Sequence, residues 1–304
     1  FIDFENPKIA AVTELKEDVE WLGPNTPGHI FVQATDNSEI VDYEFSIGTT
    51  AGSDDVVAWA KSDSNSILFD LSLLNERETY VSNARVTDIV GFTSSASSDS
   101  FRMDLTAPLQ GTLSIGDLYQ SDTANVTFTW AGFVDEHSGI GDYHYSLGTQ
   151  PGSDDVIPRT PLGLNADFAS LAITISGLSL QVNQTYYGTV YALDKVANET
   201  FAISDGLTID RDGPESGTIF DGIIADIDHS NDTTSASASW GDFYDFNGID
   251  HYELALYMMG HMGAEVIAVD WTDVGQNLSY TFSGLSLNPN YKYYFSIKAF
   301  DKLG

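Results

Sequence analysis

Apolar and polar residues alternate along most of this chain. Tyr43, Phe45 and Ile47 alternate with Glu44, Ser46 and Gly48, and Tyr143, Tyr145 and Leu147 alternate with His144 and Ser146. A period of two built from aromatic and branched residues predicts a strand with one face buried. The same pattern predicts strands at 126–130 (VTFTW), 186–193 (YYGTVYAL), 236–240 (ASASW) and 293–300 (YYFSIKAF). Breaks rich in Gly, Ser, Asp and Pro separate the runs, and no window shows sustained helical periodicity with caps. About seven short strands per hundred residues, joined by polar turns, predict an antiparallel β-sandwich.

The pattern repeats. YEFSIGTTAGSDDV at 43–56 returns as YHYSLGTQPGSDDV at 143–156. Three landmarks recur in order. An acid stands four residues before an isoleucine that is followed by tyrosine (Asp36–Ile40–Tyr43, Glu136–Ile140–Tyr143, Asp245–Ile249–Tyr252). Leucine, tyrosine and aspartate share one spacing (Leu74–Tyr80–Asp88, Leu180–Tyr186–Asp194, Leu287–Tyr293–Asp301). An aspartate precedes a proline by four residues at Asp3–Pro7, Asp104–Pro108 and Asp210–Pro214, so these marks lie 101 and 106 residues apart. A fixed period of this length means a tandem array of domains.

The expected units are residues 1–107, 108–213 and 214–304, with joints near Pro108 and Pro214. FIDFENP at the start matches the end of a unit at 208–214, and FDKLG at the close matches 193–197. The expectation is an excerpt of a longer array, with a unit before Phe1 and the last strand of the third unit supplied by later sequence or by another subunit. An unpaired sandwich edge is a template for strand addition.

The units resemble fibronectin type III or bacterial immunoglobulin-like repeats. The resemblance is carried by Trp130 and Trp240 on an early strand and by the tyrosine-corner spacings Leu180–Tyr186 and Leu287–Tyr293. It extends to Asp221–Gly222, DID at 226–228, Phe133–Asp135, Ser138–Ile140, Gly148–Val156 and GLSL at 177–180 and 284–287. It implies three tandem antiparallel β-sandwiches from a large secreted or cell-surface protein. The first unit departs from it: HIFVQAT has no tryptophan at the expected place, and residues 8–28 differ from the other entry segments.

Charge narrows the partners. Lys and Arg number 12 against 45 Asp and Glu, a formal net charge of −33. Phosphate recognition needs cationic side chains, so nucleic acid is excluded as a partner, and an anionic membrane surface is disfavoured. Such a surface favours divalent cations. No cysteine is present, which removes disulfides, thiolate metal sites and a cysteine nucleophile together. No apolar run approaches the length that spans a bilayer.

Calcium is the cofactor that the acids suggest. DIDHSND places Asp226, Asp228, Ser230 and Asp232 at alternate positions, although the glycine and the closing carboxylate of an EF-hand loop are missing. A second acidic group, Asp210 and Asp212, lies at a joint. The recurring acids Asp36, Glu136, Asp245, Asp88, Asp194 and Asp301 invite comparison with a glycosidase dyad, but residues present in every unit are expected to close turns. The histidines (His29, His137, His144, His229, His251, His261) form no zinc motif, and no Gly-x-Ser-x-Gly elbow occurs. The GTxxGSDDV phrase lacks the Lys-Ser/Thr of a phosphate cradle and reads as a turn, with glycines at positive φ and both aspartates bonding the backbone. No enzyme is expected.

Asn-x-Ser/Thr sequons stand at Asn125, Asn183, Asn198, Asn231 and Asn277, candidates for glycosylation in a secreted eukaryotic protein. Trp59, Trp271, Tyr244 and Tyr257 lie near turns, where they could stack on a sugar or on a neighbouring unit. The expected function is a non-catalytic extracellular stalk, adhesin or filament segment whose partners are neighbouring repeats and identical subunits. The alternative is a glycan- or protein-binding accessory module of a secreted hydrolase or adhesin.

Overall fold

A computed structural model describes residues 3–15, 19–76, 78–163, 170–260 and 263–304; His261 lies outside them. Among the described residues there is no α-helix, and none is therefore long and apolar enough to cross a membrane. A 3-10 turn, Leu71–Leu73, is capped by the Asp70 carboxylate, which accepts from Ser72 N at 2.9 Å.

The strands form three pairs of sheets, each enclosing one apolar cluster. In the first pair, Lys8–Glu14, His29–Thr35 and Ser66–Leu68 face a sheet ordered Trp21–Leu22, Thr93–Met103, Thr79–Asp88, Ile40–Gly48 and Val57–Ser62. In the second, Ser170–Ile175, Val126–Ala131 and Thr112–Ser114 face a sheet built around Thr185–Asp194 and Ile140–Gly148. In the third, Thr218–Asp221, Ser235–Gly241 and Ser279–Ser283 face Glu265–Gly275, Ile249–Met259 and Lys292–Asp301. Alternation places the clusters: Phe45 and Ile47 are buried in the first, Tyr143 and Leu147 in the second, and Leu254 and Leu256 in the third. Each such side chain contributes about 1.5–3 kcal/mol on burial.

Pairing departs from pure antiparallel order twice. Trp21–Leu22 runs parallel to Arg102–Met103, and Tyr119–Gln120 runs parallel to Leu207–Ile209. In each case a short entering segment lies along the last strand of its own sheet and covers that edge.

The tyrosine corner is present in all three sandwiches. The hydroxyls of Tyr80, Tyr186 and Tyr293 accept from the main-chain N–H five residues upstream, at Asn75 (2.6 Å), Gln181 (2.8 Å) and Asn288 (2.8 Å). Trp130 and Trp240 are buried edge-on against Tyr143 and Tyr252, with centroids 5.6 and 5.7 Å apart. Where the first sandwich lacks the tryptophan, its facing strand buries Ile30 and Val32 instead.

The duplicated phrase is a turn, with one correction. Gly52 and Gly152 have φ of 80° and 79°, and Asp55 and Asp155 accept from Thr49 N and Thr149 N at 2.9 Å. Only the second aspartate of each pair closes the loop. Asp154 accepts only a long 3.5 Å contact from Arg159 N, and Asp54 makes none among the described hydrogen bonds. A Cβ on Gly48 or Gly148 would fall 1.8 or 2.0 Å from the hydroxyl of Ser53 or Ser153, so the close approach demands glycine.

Candidate cation sites at the sandwich ends

The three sequence landmarks converge in space. Each sandwich gathers the aspartate before the entering proline, the aspartate of the turn before its central strand, and the aspartate that ends a strand paired with it. The groups are Asp3–Asp36–Asp88, Asp104–Asp135–Asp194 and Asp210–Asp245–Asp301, and within each group carboxylate oxygens lie within 4.8 Å of one another. In the second group the turn acid is Asp135. Glu136, which alignment on Ile140 selects, is exposed, because this turn is one residue longer than DFNGI at 245–249.

Backbone geometry creates the convergence. Ile40, Ile140 and Ile249 pair with Asp88, Asp194 and Asp301, and in all three sandwiches the register shifts immediately afterwards. A bulge at a strand end re-aims the local chain, here carrying the turn acid toward the strand-terminal acid. Main-chain N–H groups then fix one oxygen of each. Asp88 Oδ1 accepts from Val90, Gly91 and Phe92; Asp194 Oδ1 from Val196 and Asn198; Asp301 Oδ1 from Leu303 and Gly304. Asp36, Asp135 and Asp245 accept in the same manner from Ser38, His137 and Asn247. The expectation that the recurring acids close turns is therefore met, except at Glu136, whose place Asp135 takes.

The remaining oxygens are the unusual part. Oδ2 of Asp3, Asp88 and Asp210 is buried without a hydrogen-bond partner, on residues 6%, 1% and 1% exposed. Among the described residues no Lys or Arg forms an ion pair with any of the nine aspartates. Burial pushes the carboxyl groups of Asp194 and Asp245 up; the charge of Asp104 adds to the first, and those of Asp210, Asp301 and Asp212 add to the second. Two carboxylates at such a separation repel by roughly 3 kcal/mol at an effective dielectric of about 20. Hard oxygen donors within 4.8 Å of one another and with excess negative charge suit a calcium ion, whose bonds run about 2.3–2.6 Å.

The other acids flagged from sequence are placed differently. Asp210 belongs to the third group, whereas Asp212 stays outside it and is only 3.5 Å from the Asn183 amide. Asp226, Asp228, Ser230 and Asp232 spread along an exposed loop and contribute to none of the clusters among the described residues. Asp226 accepts from Asp221 N, and Ser230 accepts from Asp232 N. Asp232 caps its turn through the Ser235 hydroxyl and the Thr234 main chain and hydroxyl, which lower its pKa to about 2.

The sequons separate in the same way. Asn183, Asn231 and Asn277 are exposed, with the Asn277 amide donating to the Val274 carbonyl at 2.6 Å, and the Asn125 amide donates to Asp122 Oδ2 at 2.8 Å. The Asn198 amide bonds Asp194 Oδ2 at 2.7 Å and the Asp104 carbonyl at 3.1 Å, a structural use that a glycan would destroy. Trp59 and Trp271 carry Arg85 and Lys298 over their rings at 4.3 and 3.9 Å, so those faces are occupied. Tyr257 stacks on Tyr294, and Tyr244 is exposed.

Paired sheets around one apolar cluster each, a tyrosine corner in each, and the buried Trp130 and Trp240 are hallmarks of fibronectin III-like and immunoglobulin-like sandwiches. No family model matches the chain, and no curated protein matches it at a significant level. Among solved structures it is similar to one from a 1.5-MDa bacterial ice-binding adhesin (13% identity, TM-score 0.43, covering 97% of this chain and 96% of that one). It is similar also to a Ca2+-stabilized adhesin with which an Antarctic bacterium binds ice (14%, 0.42, 98% and 74%) and to fibronectin(III)-like modules of Clostridium thermocellum CbhA (9%, 0.40, 67% and 94%).

Proposed function

We propose that the chain is a segment of a non-catalytic extracellular array, a stalk, adhesin or filament. Its units are residues 1–107, 108–213 and 214–304, and its joints are clamped by divalent cations, calcium first. The observation that carries this reading is the threefold recurrence of one aspartate group, each member drawn from a different chain segment. The linker acid before the proline is tied to two turns of the sandwich that follows it, so an ion bound there fixes the angle of entry. Recurrence also argues against catalysis, because a reaction centre needs one cleft rather than three equivalent turn clusters. Small-angle scattering of the chain in calcium and in chelator tests the reading. It predicts a longer, stiffer particle with calcium, and identical profiles would reject the clamp.

A further inference from the structure

Asp104 belongs to a second cluster that its counterparts lack. Glu76, Asp104 and His137 bring ligand atoms within 4.8 Å of one another. Glu76 follows Leu74 in the first sandwich, Asp104 lies in the linker, and His137 sits in the entry turn of the second. His137 Nδ1 is buried and has no hydrogen-bond partner. It lies 3.9 Å from Asp104 Oδ1, too far for a hydrogen bond and near the separation of two ligands on one ion. Its ring is held from across the joint by Trp21, edge-on at 6.1 Å. Leu105 N and the Thr106 hydroxyl both bond Glu76 Oε1, and the hydroxyl chiefly holds that carboxyl below its ordinary range, hence ionised.

Homologous positions sharpen the point. In the other two sandwiches the place of His137 is taken by Ser38 and Asn247, and in the second and third that of Glu76 is taken by Val182 and Pro289. The two extra ligands therefore occur together, at one joint.

We infer that Glu76, Asp104 and His137 form a mixed nitrogen–oxygen site for a borderline divalent metal of the zinc class, bridging the first and second sandwiches. Imidazole nitrogen selects zinc-like ions over calcium or magnesium, which take oxygen donors. With one ion here and one in the neighbouring aspartate group, Asp104 is the shared carboxylate. The inference does not depend on what fills the aspartate groups.

The test titrates the 304-residue chain with Co2+ and Zn2+ by calorimetry, with and without excess calcium, and follows the visible absorption of Co2+. The site predicts a Co2+ or Zn2+ ion that calcium does not displace, with a Co2+ spectrum showing nitrogen ligation. His137→Ser and Glu76→Val, which copy residues of the other sandwiches, should each weaken this binding by more than about tenfold. Far-ultraviolet circular dichroism checks that both variants fold, and their calcium response should persist. Unchanged binding in either folded variant, or one-for-one displacement by calcium, overturns the inference. Loss of the calcium response with zinc binding intact would instead count against the clamp proposed above.

Discussion

The joints at Asp104 and Asp210 start from the same residues and end in different electrostatic states. Asp104 accepts from Thr106 N at Oδ1 and from Ser138 N at Oδ2, and His137 stands beside it. Asp210 accepts from Asp212 N at Oδ1 and leaves Oδ2 buried and unpartnered, and the charge of Asp212 bears on the neighbouring Asp245. Ser138 is the extra turn residue of the second sandwich, and its N–H supplies what the shorter turn of the third does not. One inserted residue thus changes a carboxylate from needing a partner to satisfied.

The largest contrast should appear when calcium is removed. In saturating calcium, at roughly 100–1,000 times the dissociation constant, an occupied group contributes about 3–4 kcal/mol. Asp301→Asn should abolish this at the third sandwich and Asp194→Asn at the second, each leaving the other intact, as read by urea unfolding with and without calcium.

A smaller effect carries opposite signs at the two joints. In chelator, Asp210→Asn should stabilise by about 1–3 kcal/mol, since it removes a buried charge without a partner. Asp104→Asn should destabilise by about 1 kcal/mol, because its two N–H donors lose a charged acceptor. Equal signs would show that the two joints do not differ as described. Tyr186→Phe and Tyr293→Phe serve as a control away from the acids. Each should cost about 1 kcal/mol, irrespective of calcium.

The smallest effect concerns pH. The Asp155 carboxyl is held down at about 2, first by the Ser153 hydroxyl and then by Thr149. A lowered value means that the turn's contribution is complete above the ordinary aspartate range and is lost as pH falls toward about 2. Carbon-detected NMR should place its midpoint there, and a midpoint near 4 would contradict the turn geometry.

Much of this was legible in the residues. Alternation located the strands around Phe45, Tyr143 and Trp240, and the leucine–tyrosine spacing anticipated the corners at Tyr186 and Tyr293. The landmark acids were visible, but their meeting was not. Asp3, Asp36 and Asp88 are far apart in sequence, and only the sandwich topology, with a bulge after Ile40, brings the linker and two turns to one end. Periodicity pointed to Glu136 where an inserted residue had moved the role to Asp135. The alternating acids of DIDHSND lie on an exposed loop outside the three aspartate groups, where burial, helped by the charges of Asp226 and Asp228, pushes the Asp221 carboxyl up. His137 was hidden for a related reason, since its partners Glu76 and Asp104 come from the other side of a joint.

The central claim is that each aspartate group holds one cation, and calorimetric titration of the chain with calcium tests it most directly. One ion per group is predicted, hence three per chain, with Asp88→Asn, Asp194→Asn and Asp301→Asn each removing one. Absence of binding at millimolar calcium, or a stoichiometry unchanged by these substitutions, would contradict it.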